Sequence, residues 1–150
     1  MPQSLAKILI HLVYSTKNRD RVLTETVREE LHRYTAGILR ELGSPALLVN
    51  SVEDHIHIVL SLSRTRSISE IVEEVKTGTS KWIKTKGSEF SNFHWQGGYG
   101  ASSVSQSNLD EVLKYVANQP EHHRRKTFQE EFRELLKRYQ IEYDERYVWD

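Results

Sequence analysis

Four strand-like runs and two amphipathic helical stretches follow one another in a fixed order, and this order constrains the fold more than any other feature of the chain. Residues 6–15 (AKILIHLVYS) read as a buried strand, followed by a polar stretch carrying Lys17, Arg19 and Arg21. A helix is expected over residues 24–42. There Val27, Leu31, Tyr34, Ile38 and Leu42 recur at helical spacing, and Gly43 supplies the stop. Residues 45–51 and 54–62 (DHIHIVLSL) give the second and third strands. The second helix begins at Ser67, which with Glu70 has capping-box spacing. Its buried stripe is expected to be Ile68, Ile71, Val72, Val75, Thr79 and Trp82. Gly97, Gly98 and Gly100 form a flexible connector into a short strand over residues 101–104. A third helix is expected over residues 108–119, capped by Ser107 and stopped by Pro120. A fourth follows the Thr127/Glu130 capping box.

The order β-α-β-β-α-β, then two helices, suits an α+β fold: a ferredoxin-like/RRM-like antiparallel sheet with helices on one or both faces. A length of 150 residues is expected to form one domain, residues 1–150. This architecture hosts many functions, so function has to be read from side chains. With 37% apolar and 28% charged residues, the composition excludes a disordered chain. The absence of cysteine excludes disulfides and thiolate metal sites. No apolar run is long enough to span a bilayer, and residues 1–7 lack a signal-peptide pattern, so a cytoplasmic location without membrane contact is expected. Basic and acidic residues balance at 21 each, so any nucleic acid would be gripped by local patches rather than by bulk charge.

His55-Ile56-His57 lies inside the third strand. Alternation puts both imidazoles on one face, about 7 Å apart, where they can converge on one metal ion. Alternating polar residues are also ordinary on a half-exposed strand, so the pair alone decides little. His94 is a third candidate ligand in a zinc reading, but its aromatic loop favours a structural or exposed role. His122 and His123 follow Pro120 and read as solvated.

In the third helix, Leu109, Val112, Leu113, Val116 and Ala117 form one apolar stripe. Tyr115 lies roughly 120° from its centre, with Gln119 one turn on and Asn118 facing outward. A tyrosine at a helix margin often does no more than pack its ring and wet its hydroxyl.

Taken together and in this order, these features resemble the single-tyrosine HUH transposases of small bacterial insertion sequences, the IS200-like family. The His-hydrophobic-His motif is matched by His55, Ile56 and His57, and the tyrosine helix by Tyr115 and Gln119 in KYVANQPEHH. WQGGYGASSVS over residues 95–105 and EYDERYVW over residues 142–149 also look like family signatures, as does the opening strand followed by Lys17, Arg19 and Arg21. The resemblance implies a DNA transposase that cleaves and rejoins single-stranded DNA with hairpin ends through a 5′-phosphotyrosine. Tyr115 would be the nucleophile, and His55, His57 and Gln119 would hold one divalent ion, Mg or Mn. It also implies a homodimer with active sites shared between chains. Lys17, Arg19, Arg21, Lys76, Lys81, Lys84, Arg124 and Arg125 are the candidate DNA contacts, with His122, His123 and Lys126 in the same basic run. Among rival readings a domesticated relative stays open; the histidines on the central strand, where exposed aromatics would belong, argue against a non-catalytic single-stranded nucleic-acid-binding module of the same fold, Val59 and the lack of a second His-x-Thr/Ser copy argue against a two-histidine phosphoesterase, and a zinc hydrolase would need His94 as a ligand.

Overall fold

The computed structural model describes residues 2–150. Four antiparallel strands, β1 (Leu9–Ser15), β2 (Ala46–Ser51), β3 (His55–Ser61) and β4 (Gly100–Val104), form one sheet in the order β2-β3-β1-β4. This is the order that a β-α-β-β-α-β chain of the ferredoxin-like type produces. The helices are α1 (Glu25–Glu41), α2 (Ile68–Ile83), α3 (Leu109–Ala117), α4 (Gln119–Arg125) and α5 (Phe128–Arg138). None is long and apolar enough to cross a membrane.

Strand alternation gives the sheet two different faces. Leu12, Tyr14, Ile56, Ile58 and Leu60 point to one side and pack against α1 and α2. Leu9 and Val59 on the other side pack against α3, and Val13 packs against α5. β3 runs in the centre, with His57 opposite Val13 and His55 opposite Ser15. Both histidines therefore lie inside the second interface rather than on a half-exposed face, and neither is accessible.

Several local expectations shift. In α1 the buried residues are Val27, Leu31, Thr35 and Leu39, spaced by four. Tyr34 and Ile38 flank that stripe, and Tyr34 stacks on Trp82 of α2 at 5.2 Å. Trp82 is thus only partly buried, and Ile83 takes its place in the core. The Ser67 and Thr127 capping boxes both form. Ser107 does not cap α3 but sits in a short 3-10 turn before it. Pro120 does not stop a helix either. α3 ends at Ala117, Asn118 breaks the helical path, and Pro120 sits in the first turn of α4, where its missing N–H costs nothing.

Gly97, Gly98 and Gly100 have no positive φ; only Gly43 and Gly87 among the glycines do. Gly100 is needed for a different reason. A Cβ there would sit 2.6 Å from the Phe132 ring, so the glycine lets β4 and α5 close on each other. Lys76 fixes the same connector, donating to the carbonyls of Gln96 at 2.8 Å and Gly98 at 2.7 Å.

Candidate active site

The site forms where α3, α4 and α5 cover the histidine face of β3. Asn50 on the neighbouring β2 donates its side-chain amide to the carbonyls of Val116 and Ala117, fixing the end of α3 over the sheet. The Asn118 break then starts α4 with Gln119 turned inward and fully buried. Gln119 Oε1 lies 3.0 Å from His55 Nε2. Phe128, at the start of α5, packs its ring 4.7 Å from that of His55.

Glu131 completes the cluster. Its Oε1 is 2.7 Å from His57 Nε2 and 3.4 Å from His55 Nε2, with only 3% of the side chain exposed. Four donor atoms, His55 Nε2, His57 Nε2, Gln119 Oε1 and Glu131 Oε1, therefore converge in a buried space. Two imidazoles, an amide oxygen and a carboxylate suit a divalent ion of intermediate hardness. The Gln119 amide nitrogen is buried without a partner, as expected of a group whose other contacts arrive with a bound species.

The outer nitrogens of both histidines are held. His55 Nδ1 donates to Asp54 Oδ1 at 2.7 Å. His57 Nδ1 lies 2.9 Å from Nε2 of His11, a buried β1 residue whose Nδ1 reaches the Tyr139 hydroxyl at 3.5 Å. Such partners fix ring orientation and tautomer, the usual second layer around metal-binding histidines. Burial pushes His55 down, but the carboxylates of Asp54 and Glu131 outweigh it and raise it to about 9. His57 is pushed down by burial, and His11 by burial and then by His57, to about 3. Desolvation opposes ionisation of Glu131, yet its bonds to His55 and His57 hold the carboxyl well below the usual range. The cluster thus favours the charged forms of His55 and Glu131 over those of His57 and His11.

Tyr115 stands beside the cluster, half-buried, its ring 5.9 Å from that of His57 and 4.6 Å from that of His122. Its hydroxyl is pushed up by burial and then by the charge of Glu131, with a smaller opposing effect from Gln119. It lines an open cleft of about 480 Å³ together with Asn108, Arg138 and Tyr139. Tyr115, His55, His57 and Gln119 are thus brought together within one chain.

The remaining candidates scatter. His94 is exposed and far from a ligand's role; its carbonyl accepts from the Lys17 amide. His122 and His123 are only partly solvated. His122 packs on Tyr115, while His123 bonds Glu53 at 3.0 Å and sits 5.6 Å from the His55 ring. Lys76 is occupied by backbone carbonyls and by the face of Tyr14, and burial lowers it to about 8. Lys81 and Lys84 line a surface groove of about 570 Å³ with Trp95 and Tyr99. Arg19 lies 5.8 Å from the Trp149 ring. Arg124 and Arg125 bridge back to Glu121, both at 3.3 Å, and Arg21 and Arg124 share a groove with the face of β2.

A helix-borne tyrosine thus stands beside a buried histidine pair on a four-stranded antiparallel sheet, and the sequence places this arrangement in a family of DNA-processing enzymes. Residues 4–119 match the family model described as transposase IS200 like, and the chain belongs to that family. It is 23% identical over 114 residues to the ISDra2 transposase TnpA of Deinococcus radiodurans, spanning 73% of this chain and 81% of the relative. In structure it is similar to a Deinococcus radiodurans R1 protein assigned as a transposase, with a TM-score of 0.62 and 21% identity, over 79% of this chain and 98% of the other. It is equally similar to a REP-associated tyrosine transposase bound to a REP hairpin, with a TM-score of 0.62 and 16% identity, over 82% and 73% of the two chains. The family match stops at Gln119, so α5 and Glu131 lie beyond it.

Proposed function

We propose that this transposase cleaves and rejoins single-stranded DNA through a 5′-phosphotyrosine on Tyr115. The observation that carries the reading is the meeting of four inward-facing ligand atoms, from His55, His57, Gln119 and Glu131, beside one partly accessible tyrosine. A divalent ion, Mg or Mn, would polarise the scissile phosphate and offset the charge of Glu131 that opposes ionisation of Tyr115. Tyr115 attacks phosphorus, the bond to the 3′-oxygen breaks, and the upstream strand leaves with a free 3′-hydroxyl. The phenolic proton passes to solvent through the open cleft, and the departing oxygen takes one up. The downstream strand stays on Tyr115, and the reverse attack by a 3′-hydroxyl rejoins DNA without a nucleotide cofactor.

The substrate is a single strand with a hairpin end, since a buried site needs an unpaired backbone to reach it. End-labelled hairpin oligonucleotides and the corresponding perfect duplex, each incubated with Mn²⁺, test this. Cleavage of the single strand alone is expected, and efficient cutting of blunt duplex contradicts the reading.

The homodimer with shared sites is a separate part of the proposal and rests on the family. In one chain Tyr115 already faces its own His57, and Gly100 and Lys76 pin the connector that an exchange of α3 would move. Mixing His57→Ala and Tyr115→Phe proteins decides between the arrangements. Recovered cleavage, with DNA on the His57→Ala chain, supports shared sites. No recovery after demonstrated subunit exchange means that each chain uses its own tyrosine.

A further inference from the structure

Tyr115 and His122 are seven residues apart. Along an unbroken helix such residues share a face but lie about 10.5 Å apart up the axis. Here their ring centroids are 4.6 Å apart and the ring planes are tilted by 32°. The break at Asn118, between α3 and α4, is what lets the two rings meet. We propose that His122 is a positioning residue for Tyr115, its ring holding the tyrosine ring in the orientation from which the hydroxyl attacks. The proposal rests on the phosphotyrosine reading and adds to it the group that sets the nucleophile's angle of approach.

The joint between the two residues is fixed by backbone. The Asn118 amide donates to the carbonyls of Lys114 at 3.1 Å and Tyr115 at 3.3 Å, and its carbonyl accepts from Glu121 at 3.1 Å and His122 at 3.2 Å. One residue thus ties the backbone of Tyr115 to that of His122, closing one helix and opening the next. Asn118 adopts φ −94° and ψ 21°, close to the sparsely populated bridge conformation that recurs in active sites. The tie is made within one chain. The ring pair is therefore carried on the α3–α4 unit whichever chain's histidines that unit meets.

The rings around Tyr115 divide by orientation. His57 and His11 meet it edge-on, at 5.9 Å and 75° and at 6.3 Å and 74°. His122 is the nearest of the three and the only one of them that lies across the ring face. Edge contacts leave a ring free to tilt about its χ angles, whereas a flat ring against its face opposes that motion. Burial alone does not fix Tyr115, because it is half-buried and borders the open cleft of about 480 Å³.

The basic run after Pro120 divides in the same way. His123 is bonded to Glu53 at 3.0 Å, and Arg124 and Arg125 both bridge to Glu121 at 3.3 Å. His122 is the member of the run turned onto the tyrosine. An aromatic pair of this kind biases an orientation by about two- to tenfold, and that bias sets the size of the expected effect.

The test measures single-turnover formation of the covalent adduct on hairpin-bearing oligonucleotides with Mn²⁺ at saturating protein. Substrate affinity is followed by fluorescence anisotropy, Mn²⁺ affinity by calorimetry and folding by thermal melts. His122→Ala and His122→Gln, which lack the flat ring, are expected to slow the saturated rate by up to about tenfold while both affinities hold. His122→Phe, which keeps a flat ring without the nitrogens, is expected to recover most of the rate. A wild-type rate in His122→Ala, or a His122→Phe protein as slow as His122→Ala, overturns the proposal. So does a loss confined to substrate affinity, which would make His122 a DNA contact, or a rate that follows melting temperature across the three variants, which would make its role merely structural. In each of these cases a wild-type adduct on Tyr115 leaves the phosphotyrosine reading standing. Absence of any wild-type adduct overturns both.

Discussion

Replacing Glu131 by glutamine removes one charge from the centre of the site and leaves its shape nearly unchanged. The carboxylate makes one short bond, 2.7 Å to His57, and one longer contact, 3.4 Å to His55. A bond to a charged group contributes about 1.5–3 kcal/mol and a neutral one about 0.5–1.5, so the metal-free variant should lose about 1–2 kcal/mol. For a chain of this size that lowers the melting temperature by about 2–8 °C. The pH dependence follows from the shifts of Glu131 and of the buried histidines. Glu131 is held below its ordinary value, so its contribution is present above roughly pH 4.3 and is lost as pH falls. His55 is raised to about 9, so its contribution is complete below roughly pH 6.5 and is lost as pH rises through about 9. His11, His57 and His32 are all held down by burial and cost stability as pH falls below about 6.5, so the metal-free wild type should be most stable near pH 6.5, and the variant should lose less stability than the wild type as pH rises toward 9. Binding an ion must also displace the His55 proton, so Mn²⁺ affinity in the wild type should rise with pH toward about 9. Isothermal titration calorimetry with Mn²⁺ on Glu131→Gln should show a loss of at least the roughly 10–100-fold that removing an outer partner of a metal site costs, and a binding midpoint moved to lower pH. Unchanged affinity with an unchanged pH profile would remove Glu131 from the ligand set.

Gln119→Ala should weaken Mn²⁺ binding and cleavage strongly while Asn118→Ala does so far less, because Gln119 is buried against His55 and Asn118 is exposed; equal damage from both would show that the ligand is misassigned. His11→Ala should weaken Mn²⁺ binding by about 10–100-fold, since it removes the partner of His57 Nδ1, and a purely structural role would instead lower the melting point with metal affinity intact. Gly100→Ala should destabilise the protein by about 1–3 kcal/mol by forcing β4 against the Phe132 ring, measured by chemical denaturation, and a neutral result would show that the α5 contact is soft.

The element order and the paired histidines were legible because alternation and β-branching are local signals. So was the inward approach of Tyr115, which follows from helical phase within a single helix. Gln119 reaches the site for a reason the periodicity does not contain: it belongs to the next helix, and the Asn118 break turns it inward. Glu131 was missed because the Thr127/Glu130 capping box drew attention to the exposed start of α5. The signal lay one residue further. Glu131 falls between Phe128, Phe132, Leu135 and Leu136 on the apolar stripe, where a carboxylate requires a partner. The partial burial of His122 and His123 was not legible, since it depends on how α4 packs back across β3.

The central claim is tested most directly by covalent capture. Wild-type protein, single-stranded hairpin oligonucleotides with randomised flanks, and Mn²⁺ are combined, denatured and digested with protease, and the DNA-linked peptide is sequenced by mass spectrometry. The account predicts a metal-dependent adduct through a 5′-phosphate on Tyr115, absent in Tyr115→Phe. An adduct on another residue, or one that persists in Tyr115→Phe, would contradict it.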